Sequence, residues 1–341
     1  MYDYNKIFAF AKEILSIPSP SGYTKKVINY LENLCKKENY QYEILTNGNL
    51  IITIKGKSDY TVGIGAHVDT LGAMVCAINA NGTLKFDTIG GPSLPTYDGE
   101  YCQVITRENK VYTGTFLCRA EAVHVHKDSR SLERNTDTML IRLDELVHNK
   151  QDVLNLGIQN GDYIALDPKT YISESGFIKS RFLDDKLSVA IIFELLKYFK
   201  EENIIPENTI KVIISTYEEV GFGSAYIPQV DEMLAVDMGC VGLHLEGSEE
   251  KVSICAKDSA GPYNYEMNTK LINLAKELKL DYAIDVFPYY SSDVSAALRA
   301  GNNIKGALIG SGVAASHGME RTHIKGVKNT FELLKAYLTS K

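Results

Sequence analysis

Two histidines and a set of carboxylates stand in five short clusters along this chain: His67-Val68-Asp69, Asp184-Asp185, Glu218-Glu219, Asp237 and His317. Together they offer enough donors to hold two divalent metal ions and leave one carboxylate free. Two such ions about 3.5–4 Å apart share a bridging carboxylate and a bridging hydroxide, polarise a carbonyl and steady a tetrahedral oxyanion. Nitrogen and oxygen donors without thiolate suit zinc, cobalt or manganese, and zinc or cobalt is the first expectation. In His67-Val68-Asp69 the i, i+2 spacing puts both side chains on one face of a strand end, where Asp69 can orient the ring of His67. Adjacent Glu218 and Glu219 diverge in an extended segment, but at a strand-to-loop junction one can ligate while the other serves as general base.

Each cluster alone is weak evidence. An isolated H-x-D is commonly a surface or hydrogen-bonded pair, and paired acids usually mark a helix N-terminus or a solvated face. Placement separates these from the ordinary case. His67 follows the apolar run Thr61–Ala66, Glu218 follows Ile210–Thr216, Asp237 follows Met233–Val236, and His317 comes soon after Ile304–Ile309. Polar groups at the ends of several apolar strands are where open α/β sheets carry their sites.

The strings G-A-H-V-D-T-L-G, F-L-D-D-K, Y-E-E-V-G-F-G-S-A, A-V-D-M-G and S-H-G-M-E-R-T-H occur in that order over almost the whole chain. In this the sequence resembles the dinuclear metalloaminopeptidases that assemble as tetrahedral dodecamers, the glutamyl and deblocking aminopeptidase family. The resemblance implies that His67 and Asp237 ligate one metal and Glu219 and His317 the other, with Asp184 bridging. It makes Glu218 the general base and Asp69 the residue that orients His67. Two departures fall near the site: Phe222-Gly223-Ser224 stands where many relatives have Leu-Arg-Gly, and Thr70 replaces a common acidic residue. Substrate preference therefore does not transfer from any one relative.

At 341 residues, with 45% hydrophobic residues, the chain is long enough for one large domain and a smaller one. A formal net charge of -7 gives no electrostatic reason to expect nucleic acid or an anionic membrane as partner. Six cysteines lie scattered without a C-x-x-C pair, and no basic region precedes an apolar stretch at the start, so a reduced, cytoplasmic protein is expected. No apolar run reaches the roughly 18 residues needed to span a bilayer.

The elements that must position the clusters alternate in type. Ile7, Phe8, Ala11, Ile14 and Leu15 recur at helical spacing until Pro18 and Pro20, and Val27, Tyr30, Leu31 and Leu34 mark a second helix. Leu50–Ile54 and Thr61–Ala66 read as strands. From Asp185 onward the spacing predicts a helix too apolar to be solvated. Strands 210–215 and 233–236 follow, then helix 267–280, strand 283–287, helix 293–300, strand 304–309 and a helix over 325–338. This is the pattern of an α/β layer structure with a mixed sheet.

Between about Leu71 and Gly176 short β-like runs alternate with turn signals such as Asn81-Gly82 and Gly90-Gly91-Pro92. Residues 71–176 thus read as an inserted β-rich domain, with 1–70 and 177–341 forming the catalytic domain. By the resemblance the insert serves dimerisation.

Other polar groups carry less. His124 and His126, at i, i+2 in the insert, read as an exposed pair, and Cys240 as a small buried hydrophobe. His323 reads as support for a loop or interface. Ser291-Ser292-Asp293 reads as the N-cap that opens a helix, and it also resembles a segment of the family that lies near the substrate pocket. Gly221, Gly223 and Gly310-Ser311-Gly312 lack the spacing of a nucleotide fingerprint and read as turns beside the metal site.

The expected function is a metal-dependent aminopeptidase that releases N-terminal residues from short peptides, as a homo-oligomer and plausibly a dodecamer. A water between the metals, deprotonated by Glu218, would attack the scissile carbonyl, and Glu218 would pass the proton to the leaving amine. Two other enzymes fit the residues: an N-acyl or small-amide hydrolase on the same two metals, and a carboxylate-pair glycosidase. A non-catalytic scaffold is the reading outside catalysis.

Overall fold

The computed structural model describes residues 2–340. Four parallel strands form the centre of the main sheet, in the order Asn208–Ser215, Ser58–His67, Glu232–Val236 and Lys305–Val313. Leu50–Ile54 and Gln41–Ile44 add antiparallel on one side, and Val252–Lys257 with Tyr282–Val286 extend the other. Parallel pairing requires crossovers that cover both faces, so these strands read as near-continuous apolar runs. Alternate residues then divide between two cores.

Ile64, Ala66, Val212, Ile214, Leu234, Val236, Ala307 and Ile309 face one core. It is covered by the helices Leu183–Glu201, Ile324–Thr339 and Tyr265–Glu277. Ile213, Met233, Ala235 and Leu308 face the other, where Val294 and Ala297 of the helix Asp293–Arg299 pack. The helix Leu183–Glu201 is buried almost all round over its first fourteen residues, as its composition demanded. Its Lys186 ammonium, sealed from solvent, donates to the carbonyls of Ile14 (3.0 Å) and Ile17 (2.7 Å) and so satisfies the end of the first helix, Asn5–Leu15.

Between Gly72 and Leu166 six antiparallel strands close into a barrel: Gly72–Ile78, Leu84–Ile89, Met139–Leu143, Val111–Cys118, Tyr101–Ile105 and Tyr163–Leu166. Phe86, Phe116, Val104, Ile141 and Ile164 fill it, with Tyr97 of the turn Leu94–Tyr97 packed edge-on against Phe116. The chain returns through Tyr171–Ile172, which pairs with Phe177–Ser180, and that strand in turn pairs with Glu320–His323 in a small third sheet. That pairing brings the start of the long buried helix next to the loop of His317.

Two expectations change. The strand expected over 304–309 runs on to Val313, so Gly310-Ser311-Gly312 lie within a strand rather than in turns. The reason is crowding: a Cβ on Gly310 would come 1.4 Å from the Asp237 carbonyl oxygen, and one on Gly312 would come 2.0 Å from that of Ser248. Glycine there lets two backbones approach. Strands Val252–Lys257 and Glu320–His323 are additions that the sequence did not announce. No helix among the described residues is long and apolar enough to cross a membrane.

Gly310→Ala must push Asp237 or its own strand aside. Thermal unfolding should show a loss of about 1–3 kcal/mol, the usual range for overpacking. An unchanged midpoint would mean that the two strands are not in this close contact.

Candidate metal centre

The four central parallel strands end on the same edge of the sheet, and each leads into one of the clusters. His67 is the last residue of its strand, Glu218 and Glu219 form a single 3-10 turn just beyond Ser215, Asp237 follows Val236, and His317 lies four residues past Val313. Asp184 joins them from the first turn of the long helix, where its own dihedrals are not helical.

Asp184 stands between the two imidazoles. Its Oδ1 lies 3.0 Å from His67 Nε2 and its Oδ2 lies 3.6 Å from His317 Nε2. His317 Nε2 is also 3.6 Å from Glu219 Oε2, and His67 Nε2 is 3.6 Å from Glu218 Oε2. Each ring is held by its other nitrogen. His67 Nδ1 is 3.0 Å from the Asp69 carbonyl, and His317 Nδ1 is 2.8 Å from the Gly91 carbonyl. A carbonyl only accepts, so Nδ1 carries hydrogen in both rings. In the neutral tautomer each Nε2 then aims a lone pair at the carboxylates.

Asp69 divides its work. Its main-chain carbonyl orients His67, while its carboxylate, 3.5 Å from the ring, accepts from the Ser21 hydroxyl (2.5 Å) and from the amides of Glu218 (3.1 Å) and Glu219 (3.2 Å). The side chain therefore shapes the Glu218-Glu219 turn more directly than it touches the ring. Asp185, beside Asp184, accepts the His67 amide at 3.2 Å and leaves its other oxygen without a partner.

Negative charge exceeds what two imidazoles balance. Burial and the Asp184 charge push the Asp237 carboxyl up to about 7. Burial, together with neighbouring acids, raises Glu218 and Glu219 well above the usual carboxylate range. Burial is the largest influence on both His67 and Asp184 and disfavours their charge, but the hydrogen bond between them, joined by Asp69 and Glu218 at the ring and by His317 and Asp237 at the carboxyl, together outweighs it, raising the imidazole and lowering the carboxyl. Donor atoms of His67, Asp184 and Glu219 lie within 4.8 Å of one another, as do those of His67, Asp185 and Asp237. Buried carboxyls in such number, with the Nε2 atoms of both imidazoles turned toward them, fit divalent cations.

Glu320 and Arg181 were not singled out in the sequence. The buried Glu320 accepts the amide of Asp184 through Oε2 (3.0 Å) and that of His317 through Oε1 (3.0 Å), tying these two segments together. Arg181, also buried, donates to the Thr96 and Gly318 carbonyls and so pins the barrel's Leu94–Tyr97 turn to the His317 loop. The sole sequence signal was an acid three residues after His317. Asp293, opening its helix behind a Ser292 capping box, accepts the Ser215 hydroxyl at 2.6 Å. Burial raises its carboxyl to about 6.

His323 caps the C-terminal helix by accepting the Lys325 amide, and its Nε2 is 3.0 Å from the Ser175 carbonyl, a loop-supporting role. His124 and His126 belong to neither donor group. Gly221 ends the Glu218 turn in the left-handed region at φ 88°. Cys240 is half-buried, and burial pushes its thiol up to about 12.

The donors open into a cavity of about 380 Å³ lined by Asp184, Glu218, Glu219, Asp237, Tyr290 and His317 among others. A second cavity of about 320 Å³ adjoins it, sharing Tyr289, Tyr290 and His317.

A Bacillus subtilis protein called "Putative aminopeptidase YhfE" is 46% identical to this chain, over 100% of this chain and 99% of the relative. Among solved structures, the TET aminopeptidase of a marine-sediment archaeon of the Thaumarchaeota superposes with a TM-score of 0.88 at 17% identity, covering 98% of this chain and 96% of that one. The Pyrococcus horikoshii TET1 peptidase, which assembles into a tetrahedron or a large octahedral shell, gives 0.84 at 20% identity over 98% and 100%. These likenesses establish the α/β fold independently of sequence. The family model for the M42 glutamyl aminopeptidases matches residues 48–333, and with this geometry the chain belongs to that family.

Proposed function

We propose that this aminopeptidase works with two divalent cations, zinc or cobalt before manganese. His67 and Asp237 would hold one, Glu219 and His317 the other, with Asp184 shared between them. The observation that carries this reading is the Asp184 carboxylate, one oxygen toward each imidazole. When bound, the cations supply a polarised carbonyl and a more acidic water. Glu218 takes the proton from the attacking water and returns it to the departing amine. Asp69 holds the Glu218-Glu219 turn and the His67 ring in place for that transfer. The surplus of carboxylates attracts the free ammonium of a peptide N-terminus, which favours an aminopeptidase over the N-acyl hydrolase and glycosidase readings.

In the same proposal residues 71–176 are the insert through which dimers form, and the dimers build a homo-oligomer of twelve chains. Its enclosed space would admit short peptides and exclude folded proteins. The closed barrel, the family resemblance and the assembly of the Pyrococcus horikoshii relative support this. Six free cysteines support a reducing, cytoplasmic setting.

Three outcomes are expected. Chelation should abolish hydrolysis of aminoacyl substrates and zinc, cobalt or manganese should restore it; Glu218→Gln should then lose about 10²-fold to 10⁴-fold in turnover with metals retained, whereas Glu219→Gln should also lose metal, as read by elemental analysis. Full activity after exhaustive metal removal would sink the metal reading.

Glu320→Gln sets an amide NH2 against one of two backbone N–H groups. Metal affinity by calorimetry should fall about 10- to 100-fold, the usual effect of disturbing the support of a ligand, while circular dichroism stays unchanged. Unaltered affinity would leave Glu320 without a positioning role.

Light scattering at micromolar concentration should give a mass far above 37.9 kDa. A fully active monomer would defeat the assembly, and an active dimer would remove only the enclosure.

A further inference from the structure

Beside the cluster of carboxylates lies a cavity of opposite character. Its walls are Met238, Cys240, Leu245, Phe287, Pro288 and Tyr290, and its polar edge is His317, whose Nε2 faces Asp184 and Glu219. Met238 and Phe287, 4% and 2% exposed, make its floor. The carboxylate on the neighbouring strand, Asp285, is occupied by the amides of Glu246 (2.8 Å) and Gly247 (2.9 Å). Among the described residues no lysine or arginine lines the cavity to pair with an acidic side chain, and no carboxylate lines it to pair with a basic one.

We infer that this cavity receives the side chain of the substrate's first residue and selects an uncharged apolar one such as leucine, methionine or phenylalanine. The inference rests on the aminopeptidase reading of the adjoining cavity. With the scissile carbonyl among the carboxylates and imidazoles, the first residue's amine and side chain diverge from one Cα. The ammonium goes to the acids, and the side chain must enter a space contiguous with them. The two cavities share Tyr289, Tyr290 and His317, which gives that contiguity. A charged side chain entering this space would lose its water and find no partner, whereas an apolar one replaces water at apolar walls. Tyr290 stands at the junction with its buried hydroxyl close to the Asp237 carboxyl, a donor that the substrate backbone passes on its way from one cavity to the other.

The test uses the metal-loaded full-length protein on 4-nitroanilides of Leu, Met, Phe, Ala, Glu and Lys, with N-acetyl-Leu as the blocked control. Leu, Met or Phe should exceed Ala by about 10-fold or more in kcat/KM, the discrimination a hydrophobic pocket gives per few methylenes. Glu and Lys should fall below Ala. Leu245→Arg, at a half-exposed position on the wall, should raise Glu relative to Leu by about 10-fold or more. Cys240→Phe, which fills the space, should move the optimum to Ala. A wild-type preference for Glu or Lys would overturn the pocket assignment while leaving an aminopeptidase in place. So would a Leu preference that neither variant alters. If no free aminoacyl substrate is cleaved with metals loaded, the aminopeptidase reading fails first and the pocket assignment with it.

Discussion

Concentrated negative charge at the carboxyl edge of four parallel strands is the constraint to which the rest of the molecule answers. Taking an ionised carboxylate out of water costs several kcal/mol even after relaxation, and here Asp69, Asp184, Asp185, Asp237, Asp293 and Glu320 are all buried. The fold offsets part of that cost with main-chain amides: those of Glu218 and Glu219 reach Asp69, that of His67 reaches Asp185, and those of Asp184 and His317 reach Glu320. Beyond the two imidazoles, no lysine or arginine among the described residues pairs with the remainder. Cation binding thus stabilises the same arrangement that it uses, and the site and the sheet edge are one energetic unit.

Closeness of backbone is the second requirement. Asp237 reaches the cluster because the strand beside it has no side chain at Gly310, and Gly63 and Gly65 leave room on the central strand for Val230 and Met233 of the second core. Burial of both sheet faces supplies the rigidity that holds four strand ends in register. The helix Leu183–Glu201 contributes through Lys186, whose ammonium burial pulls down to about 7 while two carbonyls of the first helix hold it.

The sheet and its polar edge were legible because both rest on pattern: apolar runs, breaks between them, and acids or histidines at the ends. Where pairing rather than pattern makes the strand, the sequence is silent. Glu320–His323 is wholly polar and extended because Phe177–Ser180 needs a partner. Gln41–Ile44 is an exposed edge strand without the alternation of a half-buried one. Glu320 was hidden for a related reason, since its partners are main-chain amides, which every residue but proline owns. The division of labour in Asp69 is similar: H-x-D suggests a side-chain contact, but the ring takes the nearer carbonyl of the same residue.

The His317 ring is fixed by a carbonyl that belongs to none of the catalytic elements. Gly91 lies between the barrel strand Leu84–Ile89 and the turn that Arg181 clamps, so the barrel's own fold sets the hydrogen on one imidazole. Excising the barrel would leave every donor residue in the chain and still release that ring to rotate. The barrel and the cluster at the strand ends are therefore not separable modules: drift in the barrel is limited where Gly91 and the Arg181 clamp meet the His317 loop, whatever freedom its outer surface has to change.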